Sequence, residues 1–312
     1  MEQRNGGITM DTIVFFRVYH HWEDPKPYIA LKGNPAPDGC KAWIRSLKGT
    51  RSHICWFKIQ CHEFIGYSTA TERDIAYLRS VVDEWLARAG LFLDDFTLGR
   101  IDYDYNFYMS PNEFRVLITT MQQLSKRIMR MNKWRSEQKP TVYYLSKSRH
   151  AQFYRKDLER MAKDLPVREV EINLCRQEVQ CHAARIKYMK REYGLVRDWE
   201  NWVTPEMEAE YLTTAEPVFL SGDFYSMDGA VDIIQASGLT PCHKKRLTEM
   251  LAVIQNGTMD ALKGYASRNT VLKYLTMLKD LNVNPLTIKT NFENNPCGIT
   301  YIANPFFKCK GI

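Results

Sequence analysis

Apolar and polar side chains alternate with period two in several stretches of the first two hundred residues, with helical spacing between and after them. The clearest stretch is Arg100-Ile101-Asp102-Tyr103-Asp104-Tyr105-Asn106-Phe107. On a strand, Ile101, Tyr103, Tyr105 and Phe107 share the face a sheet buries, and Asp102, Asp104 and Asn106 share the other. At roughly 3.3 Å rise per residue the two carboxylates stand about 7 Å apart. Aligned carboxylates are costly unless solvent, a cation or a basic partner compensates them. The face is therefore either the wet side of an edge strand or a binding site.

Upstream, Ile13–His20, Tyr28–Lys32, Lys41–Ser46 and His53–His62 read as strands separated by Pro- and Gly-containing turns. In the last of these, Trp56, Lys58, Gln60 and His62 share one face and Cys55, Phe57, Ile59 and Cys61 the other. A helix capped by Thr71 carries the stripe Ile75, Leu78, Val82, Trp85 and Leu86 and ends at Gly90. Ser110-Pro111-Asn112-Glu113 is a capping box that opens a helix with the stripe Phe114, Leu117, Ile118, Met121, Leu124 and Ile128. Thr141–Ser146 and Ala151–Arg155 read as strands around a Lys147-Ser148-Arg149-His150 turn, and a short helix starts near Asp157.

Arg168–Leu174 reads as a further strand. Glu169, Glu171 and Asn173 face one way and Val170, Ile172 and Leu174 the other, which repeats the acid-x-acid-x-Asn pattern of 102–106. Two such strands suggest one acidic cluster in the centre of a sheet. Ala183–Tyr193 reads as a basic helix. From Thr204 the character becomes helical: Thr204–Thr213, Gly229–Ala236, Pro241–Gln255, Met259–Tyr265 and Thr270–Leu281. The last two, joined by Ala266-Ser267-Arg268-Asn269 and bearing Arg268, Lys273 and Lys279, fit either a helix-turn-helix or an ordinary three-helix unit. The pattern predicts an α+β fold. A central antiparallel sheet with helices on one face spans 1–203, and a smaller helical domain, a candidate DNA or origin binder, spans 204–312.

Composition narrows the class. The apolar and charged fractions, 45% and 25%, are those of a globular protein. No apolar run approaches the ~18 residues of a membrane span, and no signal-peptide core opens the chain, so no membrane partner is expected. The eight cysteines contain no Cys-x-x-Cys pair, which points to reduced thiols in a cytosol. Three Cys-His dipeptides invite a zinc reading, but Cys61 and His62 would point to opposite faces of their strand, and Cys55 and Cys61 would stand roughly 20 Å apart. The net charge of +7 is local: residues 122–191 hold 18 Lys/Arg and 7 Asp/Glu, a net of +11. That segment is either a solvated basic face or the track of a polyanion. Lys126, Arg130, Lys133, Arg135, Arg149, Arg155, Lys187 and Lys190 are its candidate phosphate contacts.

Asp and Glu, with Asn or His62 as further donors, form an oxygen-rich set suited to Mg²⁺ or Mn²⁺. A hard divalent ion beside a basic groove is the usual requirement of phosphodiester chemistry. The nucleophile could be water or a side chain. Tyr154, in Phe153-Tyr154-Arg155-Lys156, ends a strand among cations, and positive charge from Lys156 and Arg155 would favour its phenolate.

Four segments in this order carry a resemblance: the strand His53–His62, "RIDYDYNF", "TVYYLSKSRHAQFYRKDLE" and "VREVEINL", followed by a basic helix. The arrangement resembles the gene II replication protein family of filamentous phages and, more distantly, the initiators of rolling-circle plasmids. It covers roughly residues 52–200 and more faintly 240–285, where "TVLKYLTMLKDLNVNP" is similar to the family's C-terminal segment. The first fifty residues match nothing in it. The resemblance implies an origin-specific, metal-dependent nicking endonuclease and strand-joining enzyme that keeps the 5′ phosphate on a tyrosine. Asp102 and Glu171 would be metal ligands, with Asp104 and Glu169 on the same faces. Tyr154 would be the nucleophile with Lys156 beside it, and Mg²⁺ or Mn²⁺ the cofactor. Single-stranded and supercoiled origin DNA, a host helicase and single-strand-binding protein would be partners, in the cytoplasm of a bacterial host. The sequence lacks the His-hydrophobic-His pair of the wider superfamily, so carboxylates must carry the metal and a role for His62 stays open. A non-enzymatic origin- or operator-binding protein, and a metal-dependent nuclease using water, are the alternatives.

Overall fold

The computed structural model describes residues 9–66, 72–124, 141–145, 148–192, 194, 220–291, 293 and 295–307. The Thr71 cap, the basic residues Lys126, Arg130, Lys133 and Arg135, and the helix expected at Thr204–Thr213 lie outside the described residues. The fold is mixed α+β, built on one seven-stranded sheet whose neighbours all run antiparallel.

The strands are β1 (Thr9–Tyr19), β2 (Cys40–Ser46), β3 (His53–Gln60), β4 (Thr97–Tyr108), β5 (Thr141–Leu145), β6 (Arg149–Arg155) and β7 (Leu174–His182). Their spatial order is β2-β3-β1-β4-β7-β6-β5, which puts the Arg100–Phe107 stretch at the centre. Alternation decides which way each residue points. Ile101, Tyr103 and Tyr105 join Ile13, Phe57, Val179 and Phe153 in one buried apolar layer. Helix α3 (Glu72–Ala87) covers that layer: Trp85, 1% exposed, packs edge-on against Phe57. Gly90, at φ 71°, closes the turn after it, a conformation glycine takes without steric cost.

Helix α4 (Pro111–Met121) has the full capping box. Ser110 Oγ accepts from the Glu113 amide, and the Glu113 carboxylate accepts from the Ser110 amide. Losing such a cap costs about 1 kcal/mol. Beyond 220 the elements are β8 (Phe224–Tyr225), α7 (Met227–Ala236), α8 (Pro241–Gly257), α9 (Leu262–Tyr265), α10 (Arg268–Asp280) and β9 (Tyr301–Ile302). Phe306, fully buried, lies edge-on 4.9 Å from Phe153, so the C-terminal segment packs directly on the apolar side of the sheet.

Two strand expectations are corrected. Lys26–Gly33 is a helix, α1, not a strand. Pro25 and Pro27 hold φ near helical values in its first turn, and Tyr28 and Leu31, three apart, bury together, Tyr28 stacking on Tyr19 at 4.1 Å. Arg168–Leu174 is not a strand either. Glu169–Glu171 is one 3₁₀ turn and Asn173 takes φ 61°, so the extended run starts only at Leu174. The strand from His53 also stops at Gln60, and His62 opens a short helix, α2 (His62–Ile65).

Candidate active site

The polar face of the sheet assembles by register. Asp102 lies opposite Gln180, Asp104 opposite Glu178 and Asn106 opposite Arg176. Across the next strand, Gln152 faces Glu178 and Tyr154 faces Arg176. Cross-strand partners share a face, so Tyr154 and the acids of β4 point the same way. On the other flank a register shift between Met10 and Thr12 makes Asp11 an extra residue in β1, a β-bulge. That bulge turns the Asp11 carboxylate onto the same face, where it meets Arg176 and His62.

Two clusters result. In the first, Asp11, Asp102 and Glu178 each offer one carboxylate oxygen, all within 4.8 Å of one another. Asp102 is fully buried and Glu178 is 3% exposed. Burial, with the charges of Glu178 and Asp11, pushes the Asp102 carboxyl well above the usual carboxylate range, although Arg100 donates to it through Nε at 2.7 Å. Burial and Asp11 likewise raise Glu178. Burial opposes ionisation of Asp11, but Arg176 and His62 hold it well below the usual carboxylate range. One ionised acid beside two raised ones is an arrangement a divalent cation would stabilise, and an all-oxygen donor set fits Mg²⁺ or Mn²⁺.

In the second cluster, Asp104 is already engaged. Its Oδ2 takes Asn106 Nδ2 at 2.6 Å, His62 Nε2 at 3.2 Å and Arg176 Nε at 3.3 Å. Burial opposes protonation of His62, but the Asp104 charge and the hydrogen bonds that His62 Nε2 donates to Asp104 and Asp11 overcome it and bring its pKa up to about 9. His62 therefore sits as an imidazolium between carboxylates at neutral pH, which does not suit a metal ligand.

Tyr154 joins the first cluster. Its hydroxyl donates to Glu178 Oε2 at 3.1 Å, and Gln180 Nε2 donates to the other oxygen of Glu178 at 2.6 Å. The expectation that nearby cations make this phenol more acidic is corrected. Burial, then the Glu178 charge, pushes its pKa well above 10. Lys156 Nζ lies 5.9 Å from the Tyr154 ring centroid and is hydrogen-bonded to Glu159 at 2.8 Å. A cleft of about 380 Å³ opens over this cluster. Its rim includes Lys58, Arg100, Lys156 and Lys163, and Tyr143, 42% exposed, lines it as a second tyrosine.

The remaining candidates are dispersed. Glu171 is fully buried, but Arg160 holds it through an ion pair at 2.6 Å, and it accepts from the Arg168 amide. Glu169 is solvent-exposed on the 3₁₀ turn. Neither belongs to the acidic cluster, because the segment that carries them is not a strand of the sheet. Arg155 borders the cleft while paired through Nε at 3.0 Å to Asp157, in the first turn of α5 (Lys156–Met161). Arg149 begins β6. Lys187 and Lys190 lie on α6 (Ala183–Glu192), and Lys190 lines a separate cleft with Arg79, Asp94 and Asp95.

Sequence reading missed Asp11 and Glu178. Glu178 had a signal: Arg176, Glu178, Gln180 and His182 alternate with Cys175, Gln177, Val179 and Cys181. Asp11 had none, because only the bulge aims it. No helix among the described residues is long and apolar enough to cross a membrane. No protein-family model matches the chain, and no curated protein matches it significantly.

Proposed function

We propose that the chain is a metal-dependent DNA strand-cleaving and strand-joining enzyme that acts through Tyr154, as the resemblance to the gene II family implies. The observation that carries this reading is the Tyr154 hydroxyl, hydrogen-bonded to a member of the Asp11–Asp102–Glu178 triad inside a cation-rimmed cleft. Asp11, Asp102 and Glu178 would hold Mg²⁺ or Mn²⁺, which would polarise a phosphoryl oxygen and offset charge built up at phosphorus. Glu178 accepts the phenol proton as the Tyr154 oxygen bonds to phosphorus. The 3′ oxygen leaves with the electron pair of its broken bond and takes a proton from water. The product is a 5′ phosphotyrosine and a free 3′ hydroxyl, and the reverse step rejoins the strand with no ATP. Lys156, Arg100 and Lys58 stand where phosphate would be neutralised. Arg268, Lys273 and Lys279 on α10, all exposed, are the candidate origin contacts of the C-terminal unit.

Incubation with a randomised single-stranded oligonucleotide pool and Mn²⁺, followed by denaturing electrophoresis, tests the reading. A covalent protein–DNA adduct is expected with the native chain and none with Tyr154→Phe, which removes one hydrogen bond worth about 1 kcal/mol. No adduct and no cleavage by the native chain would overturn it in favour of a non-enzymatic DNA binder. The raised pKa of Tyr154 favours one second reading, a nuclease with water as nucleophile. Cleavage that persists in Tyr154→Phe, without adduct, would establish that one instead.

A further inference from the structure

The proposed chemistry occupies the β1, β4, β7 and β6 part of the polar face. The β2–β3 part is built from different side chains and has no role so far. Register puts Trp43 opposite Trp56, and Trp56 opposite Phe16, so three aromatic rings form a row across three strands on one face. The Trp43 and Trp56 planes are 7° apart with centroids separated by 6.3 Å, and Phe16 lies 4.9 Å from Trp56. All three are half-buried rather than taken into the core. A Cβ at Gly99 would come within 2.8 Å of the Phe16 ring, so the β4 backbone closes the inner end of the row.

Cations surround these rings. Lys41 and Arg45 flank Trp43 at two-residue spacing on β2, and Lys58 follows Trp56 on β3. Lys41 lies directly opposite Lys58, a like-charge pair that weakens the sheet. Neither strand contains an Asp or Glu. Among the described residues, no ion pair engages Lys41, Arg45 or Lys58. Lys58 also borders the cleft of Asp11, Glu178 and Tyr154, so the row and the cleft are continuous.

The near-parallel Trp43 and Trp56 rings, with Phe16 tilted beside them and cations outside any ion pair around them, suit a ligand with bare planar faces on an anionic backbone. Single-stranded nucleic acid has both: bases stack on aromatic side chains with little regard to sequence, and Lys and Arg neutralise phosphates. A duplex hides its base faces. An acidic peptide would use the cations and leave the rings idle. We propose that Trp43, Trp56 and Phe16 form a stacking platform for the bases of single-stranded DNA, with Lys41, Arg45 and Lys58 on its phosphates, leading the strand into the Tyr154 cleft. The identification of the strand as DNA rests on the proposed function; the platform itself requires no cleavage.

The test uses the full chain, a fluorescein-labelled oligo-dT strand without divalent metal, and fluorescence anisotropy. Each stacked base lost is worth about fivefold to a hundredfold in affinity. Trp43→Ala is expected to weaken binding within that range, Trp43→Phe to recover most of it, and a duplex competitor to be insensitive to the change. Tryptophan emission is expected to be quenched by the strand. Trp43→Ala with native circular dichroism and affinity within twofold of the native chain overturns the platform, as does equal weakening for strand and duplex. If a native-chain adduct forms while Trp43→Ala binds normally, only the platform falls. If quenching and the Trp43→Ala loss are seen while the native chain forms no adduct, the platform stands and the nicking reading falls. Tighter binding of an oligo-U RNA than of oligo-dT by tenfold or more overturns the assignment to DNA.

Discussion

Residues 102–106 and 169–173 share one pattern, acid-x-acid-x-Asn with apolar residues between, and they fold in opposite ways. The first runs through the centre of the sheet with β1 on one side and β7 on the other, and all its polar side chains meet partners on one face. The second has no strand to pair with. It caps itself, with the Glu171 carboxylate accepting from the Arg168 amide, turns at Asn173, and leaves Glu169, Val170 and Ile172 exposed. Alternation is thus necessary for a half-buried strand but insufficient. A strand needs neighbours to take its backbone hydrogen bonds, and only a long-range pairing supplies them.

The comparison can be broken most forcefully at the acids. Asp102→Asn and Glu178→Gln are each expected to lower Mn²⁺ affinity by about a hundredfold, in calorimetry, and to abolish strand cleavage. Unchanged Mn²⁺ affinity in both would remove the metal centre and make 102–106 as structural as 169–173. Glu171→Gln should act only on stability. It takes the fully buried carboxylate from the half-buried Arg160, at a cost of about 3 kcal/mol in urea unfolding, while Mn²⁺ affinity holds. A loss of metal affinity at constant stability would restore Glu171 to the site. Asn173→Ala forces an alanine into the left-handed region and should cost about 1–2 kcal/mol, whereas Asn173→Gly should be near neutral. Equal effects of the two would deny the turn. Glu169→Gln, at an exposed position, should stay within about 0.5 kcal/mol and leave metal binding untouched.

Much of the site was legible where local pattern and sheet context agree. Asp102 lies on the polar face of a strand that the alternation of 100–107 predicts, and Tyr154 ends a strand that its own segment predicts. The pairing that joins them was not legible. Glu178 is hidden because the segment before it imitates an acid strand, whereas the extended run begins only at Leu174. Asp11 depends on a register shift, and His62 on a chain that turns into a helix after Gln60. Tyr28–Lys32 shows the same limit from the other side: five residues are too few to tell period two from period 3.6, and the flanking prolines decided for helix.

The sequence by itself determined which face of β3 and β4 would be polar, where α3 and α4 begin or end, and that charge of one sign concentrates between 122 and 191. Those features depend on side-chain spacing and caps within one stretch of chain. Only the tertiary structure decided which acids meet, because their separation is set by strand order and register between residues as distant as 11, 102 and 178. It also decided the state of Tyr154. Its flanking cations argue for an acidic phenol, but burial and the Glu178 carboxylate raise its pKa, since desolvation and a contacting charge outweigh cations that are nearby in sequence but paired elsewhere.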